Sequence, residues 1–223
     1  MAHIHEVMHR ASRAHRVATD LAFVIAGYPH YRIAHQLHHA HVGDPRFGST
    51  AHSGLSVWKH VVRSFFSAAK SSIIYESTRA RGWSNNRILR IYCVAGTMFA
   101  AAFVVGSWRG GAFYLGQGLI SAFVVEVIGY LQHYGLEDTV STEGQTAWDV
   151  NFWLSNRLLS NNGLHTHHHQ EKTLTYGDLT SVGPALPGGY LHMFWVALIP
   201  SLWFSTMSLH AAALRTKSTQ QLP

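Results

Sequence analysis

Two apolar runs dominate the middle of the chain. Ile91 to Trp108 carries no charge, and Ala112 to Leu131 carries one, Glu126. A bilayer span needs about 20 apolar residues. The pair, joined by the short turn Arg109-Gly110-Gly111, therefore predicts a transmembrane hairpin. Upstream the pattern is more polar. Residues 3–16 predict a polar helix, and residues 17–34 a moderately apolar one. Asp20 and Pro29 spoil the second as a full span, so a half-buried or interfacial helix is expected there. Val57 to Ile74 is amphipathic, with Trp58, Phe65 and Phe66 flanked by Lys and Arg. That pattern suits a helix lying on a membrane surface, and equally a packed helix. Beyond the hairpin, a helix is expected from about Trp148 to Leu159 and a loop from Gly183 to Tyr190. An apolar stretch, Met193 to Leu209, is interrupted by Pro200. The fold class is thus all-α: one integral membrane domain over residues 1–215, followed by an unstructured tail, 216–223.

Composition agrees with this picture. Hydrophobic residues make up 47% of the 223 and charged residues 13%, which is low for a soluble globular chain. A formal charge of +6 with no basic patch or reader motif gives no reason to expect nucleic acid; a membrane surface accounts for it better. The single cysteine, Cys93, excludes an internal disulfide and a cysteine-based zinc site. Arg46, Lys59, Arg63, Lys70, Arg79, Arg81, Arg87 and Arg90 face only Asp44 and Glu76 between residues 40 and 90. The positive-inside rule puts that side of the hairpin in the cytoplasm, and His133 leaves the second run on the same side.

The chemistry lies in the histidines, of which there are 18. Nine fall into motifs: His5 and His9; His35, His38 and His39; His133; His165, His168 and His169. Helical residues three or four apart share a face, so HxxxH and HxxHH aim their rings at one point. Neutral imidazole ligates iron, zinc and copper. Nine rings are too many for one ion and enough for two. Lone histidines are more often satisfied core or surface groups than ligands. His41 and His167, beside the motifs, are the exceptions to watch.

The set HEVMHR, HQLHH, LQHYGLE and HTHHHQ, followed by LPGGYLHMFWVALIPSLWF, resembles the membrane alkane monooxygenases. It also resembles the wider superfamily of fatty-acid desaturases and hydroxylases. The resemblance runs over nearly the whole chain. It implies two non-haem iron ions held by the nine histidines named above, with dioxygen as co-substrate. It further implies an apolar hydrocarbon or acyl substrate drawn from membrane lipid, terminal hydroxylation, and electrons from rubredoxin or a similar donor. The implied location is a bacterial inner membrane, with the metal site facing the cytoplasm. Three features depart from the alkane branch. The second box has the desaturase spacing, two residues between His35 and His38. Gly129 and Gln132 replace the asparagine and glutamate of the usual NYxEHYG, and His167 fills a slot that is usually acidic. The resemblance also implies membrane helices upstream of the first box, so an N-terminally truncated domain is expected.

Glu126 lies seven residues before His133, on nearly the same helical face. A carboxylate within a span costs about 2.5–3.5 kcal/mol even on insertion scales. It is therefore expected behind a ligand ring, holding the free N–H. Phe99, Phe103, Phe113, Leu119, Phe123 and Ile128 are candidates for a substrate channel, although lipid or helix contact is the commoner fate of such residues. Three other readings stay open: a desaturase or hydroxylase of acyl chains, an inactive metal-binding membrane fragment, and a zinc protease in which Glu6 of HExxH is the base.

Overall fold

A computed structural model describes residues 2–10, 12–136 and 147–220. Among them it is helical: α1 (Ala2–Met8), α2 (Arg13–Ile25), α3 (Tyr31–Ala40), α4 (Val57–Arg79), α5 (Arg87–His133), α6 (Trp153–Leu158), α7 (His165–Gln170), α8 (Tyr190–Ala197) and α9 (Pro200–Gln220). The extended contacts among the described residues are two isolated bridges, Ala51 with Tyr134 and Asp149 with Ala185.

Local chemistry explains where the elements break. The expected helix over 3–16 is two helices, because Ser12 caps α2 by accepting from the His15 N–H. The expected helix over 17–34 ends at Ile25. Gly27 follows in the left-handed region (φ 73°), then Pro29, and the chain reverses into α3. The second histidine box therefore has a helix of its own. Gly27 also allows the α2 end to meet α5 at Gly118, where a Cβ on either glycine would strike the other's backbone. Ser56 caps α4, which runs to Arg79, beyond the predicted Ile74. The helix expected from Trp148 shrinks to Trp153–Leu158, because residues 148–150 are extended and bond to Gln132, Pro184 and Gly163. Pro200 begins α9 rather than kinking it, as suits a residue with no N–H to give. The expected tail is helical through Gln220, in a stretch rich in Ala, Leu, Arg and Lys; residues 221–223 lie outside the described part.

α5 is long and apolar enough to cross a membrane. It breaks at Ser107 (φ 54°), and the chain folds back on itself. Gly111 sits against the Phe99 and Phe103 rings, and Phe99 lies 6.4 Å from the Tyr114 ring. On a straight helix, residues 15 apart would be about 22 Å apart. Its outer surface is bare: Val105 is 90% exposed and Phe113 76%.

The main core packs the C-terminal end of α5 (Val127, Tyr130, Leu131) against Val57 of α4, Met193 of α8 and Trp203 of α9. A second cluster joins Val24, Ile33 and Leu37 to Ile88 and Ile91. The α2–α3 reversal is tied to α5 by ions as well. Asp20 accepts from buried Arg32 (2.5 Å) and from Arg87.

Candidate metal centre

Each histidine motif arrives on its own helix. α1 carries His5, and His9 follows directly after its last residue, Met8. α3 carries His35, His38 and His39, α5 ends on His133, and α7 begins at His165. The four converge at one end of α5. Their ring nitrogens form two groups whose candidate donor atoms lie within 4.8 Å of one another. One contains His5, His9, His35, His39 and His168; the other contains His38, His133 and His169. The ninth histidine, His165, belongs to neither but adjoins the second, with Nε2 3.2 Å from Nε2 of His169. The groups abut, since the His39 and His169 rings stack at 4.1 Å.

The Nε2···Nε2 separations are 3.2 Å for His9–His35, 2.9 Å for His35–His39 and 3.1 Å for His38–His133. A divalent ion bonded to imidazole nitrogen at about 2.0–2.1 Å places neighbouring donors about 3.0–3.4 Å apart. Hydrogen bonding alone fits less well. His35 Nε2 has one lone pair or one proton, yet faces two other Nε2 atoms. Among the described residues, both nitrogens of buried His168 lack a hydrogen-bond partner, as do Nδ1 of His38, His39, His165 and His169. Orphaned buried nitrogens of this kind are costly unless an ion takes the lone pair.

Burial keeps these rings unprotonated, with neighbouring imidazoles adding to the effect for most of them and Lys172 for His9. It holds His5, His35, His38, His39, His165 and His169 well below the ordinary value. It lowers His9 to about 4 and His168 to about 3. Neutral imidazole is the form that binds metal.

The surroundings of the rings bear on Glu126 and Glu6. Glu126 is buried, but its partners are the Tyr28 hydroxyl and the Ser64 side chain rather than a ligand ring. It shares a face with His133 but sits about 10 Å deeper along the axis, seven residues at 1.5 Å each. It reaches the α2–α3 reversal instead. Glu6, the residue a zinc protease would use as its base, is engaged at both oxygens: Arg10 donates to Oε1 and the Tyr176 N–H to Oε2. His41 stacks on Phe47, and His167 Nδ1 accepts from the Thr180 N–H, so neither joins the cluster.

Two residues that hold the rings escaped the sequence. The Tyr176 hydroxyl bonds to Nδ1 of His5. Asp149, fully buried, accepts from the N–H groups of Thr166 (2.9 Å), Val182 (2.9 Å) and Gly183 (2.8 Å). It thereby fixes the start of α7 against the loop before α8. The available signal was one carboxylate between apolar neighbours in Ala-Trp-Asp-Val.

A cavity of about 290 Å³ leads from the rings of His38, His133 and His165 down the side of α5. Its apolar wall is Ile120, Val124 and Ile128, spaced one helical turn apart, with Phe23 and Tyr31 opposite. Of the channel candidates only Ile128 lines it. Phe103, Phe113 and Leu119 face outward.

Comparison with known proteins gives a consistent result. The fatty acid desaturase family model matches residues 1–197. Alkane 1-monooxygenase 2 of Alcanivorax borkumensis is 29% identical over 98% of this chain and 61% of its own length. Alkane 1-monooxygenase 1 of Pseudomonas aeruginosa is 28% identical over 91% of this chain and 57% of its own. The xylene/toluene monooxygenase hydroxylase component of Pseudomonas putida is 26% identical over 92% and 58%. The chain thus spans about three fifths of the length of these relatives.

Proposed function

Because the chain belongs to the fatty acid desaturase family, we propose that it is a membrane-bound non-haem di-iron monooxygenase. It hydroxylates the terminal carbon of an alkane or a related lipid-like hydrocarbon, using dioxygen and electrons from a rubredoxin-type donor. The observation that carries this reading is the pair of adjoining all-imidazole groups beside a largely apolar cavity that their rings help to line. The names of the relatives support the hydrocarbon substrate.

Iron supplies the reductive activation of dioxygen that no side chain can perform. The protein's own contribution is placement and dryness. His5, His9, His35, His39 and His168 hold one ion; His38, His133 and His169 hold the other, with His165 beside them. Asp149 and Tyr176 fix the directions of α7 and His5. Ile120, Val124 and Ile128 lay an alkyl chain along α5 with its end at the rings, and their apolar surface excludes water. The α5 hairpin spans the bilayer, with the basic stretch before it and the metal centre on the cytoplasmic side of an inner membrane.

Iron analysis of the purified chain, followed by product analysis with a medium-chain alkane and a rubredoxin–reductase pair, tests the reading. About two iron per chain and a terminal alcohol are expected. The desaturase spacing of the second box favours one other outcome, an alkene in an acyl chain. Iron without substrate-dependent oxygen uptake identifies an inactive fragment.

A further inference from the structure

A groove of about 540 Å³ runs between α2 and the first half of α5, away from the metal centre. α2 contributes Arg13, Arg16, Val17, Leu21 and Val24 to its walls; α5 contributes Arg87, Arg90, Ile91 and Val94. The spacing of about one turn along each helix makes both sets continuous stripes. Both helices start at the same end of the groove. Arg87 donates to Asp20 and to the Arg16 carbonyl (3.5 Å), and Val24 packs with Ile88 and Ile91. Polarity therefore runs the same way along both walls, with guanidiniums at the helix N-termini and aliphatic side chains beyond them. The two N-termini add partial positive charge at that end. Asp20, the carboxylate that lines the groove, is engaged by Arg32 and Arg87, and Arg90 reaches back to the Ser84 carbonyl (3.0 Å). The apolar floor is uncovered: Val17 is 58% exposed and Leu21 42%.

We propose that this groove binds one anionic phospholipid. The phosphate sits between Arg13 and Arg90, and the first part of an acyl chain lies along Val17, Leu21, Ile91 and Val94. A cationic end joined to an aliphatic floor matches an anionic amphiphile. Free phosphate uses only one end of it, and a zwitterionic lipid brings no net charge to the other. The arginines also stand where α5 turns from polar to apolar, which is the depth of headgroups if α5 spans the bilayer, a reading on which this site rests.

The test is native mass spectrometry of the delipidated chain in detergent, offered equal amounts of phosphatidylglycerol and phosphatidylcholine with the same acyl chains. Retention of one phosphatidylglycerol in strong preference to phosphatidylcholine is expected. Arg13→Gln combined with Arg90→Gln lowers that preference by about tenfold or more, at unchanged helicity and iron content. Arg46→Gln with Lys70→Gln, on another face, leaves it unchanged. Equal retention of both lipids, or an equal loss in the control variant, overturns the proposal. So does displacement by millimolar inorganic phosphate, which marks an anion site only. A shift in oligomeric mass on mutating the groove marks a polypeptide occupant and overturns it too. Ready labelling of Cys93 by a membrane-impermeant thiol reagent in reconstituted vesicles removes the membrane reading itself, whatever the lipid result.

Discussion

The two imidazole groups are unequal, and the inequality lies in which helices feed them. The five-ring group takes two donors from α1 and the residue just after it, two from α3 and one from α7; the three-ring group takes one each from α3, α5 and α7. α1 serves only the first group and α5 only the second, whereas α3 and α7 serve both. Exposure does not separate them: His9 and His39 of the first group and His169 of the second are partly exposed, and the other rings of both are buried. A set of five keeps four donors when one is lost. A set of three falls to two, with His165 as the nearest replacement.

The most disruptive change is expected at Asp149, because α7 is shared. Asp149→Ala leaves the N–H groups of Thr166, Val182 and Gly183 without an acceptor, at about 1–3 kcal/mol each. Iron per chain should fall toward zero from both groups together, as read by elemental analysis. Loss from one group alone would contradict the shared-helix account. Next in size is His133→Ala, which strikes the smaller set. Iron should drop toward one per chain and turnover by at least about a hundredfold, whereas His9→Ala keeps most of the iron. Equal iron losses in the two variants would erase the distinction between the groups. Tyr176→Phe removes only the support of His5. About a tenfold loss of metal affinity is expected, confined to the five-ring group, by competition with a chelator.

Smaller effects should act on the frame without changing how iron divides between the groups. Glu126→Leu strands the Tyr28 and Ser64 hydroxyls and should cost about 1–3 kcal/mol in detergent unfolding, with iron near the original level. A matching fall in iron would restore Glu126 to the metal centre. His30 gives the finest probe. Burial lowers it to about 4, so the fold keeps it neutral while the unfolded chain protonates it near 6.5. The unfolded state then binds more protons between those values, and stability falls as pH drops through that window. The cluster histidines add to the same slope, so His30→Phe should lessen it by one proton's share, as measured by urea unfolding from pH 7 to 4.5.

Spacing made the rings legible in the sequence. HxxxH and HxxHH state which side chains share a helical face, and the rings do converge, eight in the two groups and His165 beside them. The apolar runs around Arg109 likewise announced α5 and its reversal. Depth along an axis was not legible. The interval from Glu126 to His133 fixes a common face but says nothing of what stands opposite, and Tyr28 stands there. The ties made by Asp149 and Tyr176 join segments 13 or more residues apart to the boxes, a relation no local pattern encodes. Gly27 and Pro29 did carry the signal for a reversal, but the moderately apolar run through them masked it.

The double duty of α3 and α7 bears on how the protein is loaded. With the proposed pair of ions, whichever arrives first would immobilise two helices that its successor also needs, so the second would meet a site whose ordering cost has already been met. Occupancy should therefore be cooperative, with empty and fully loaded molecules predominating over half-loaded ones at intermediate metal concentration.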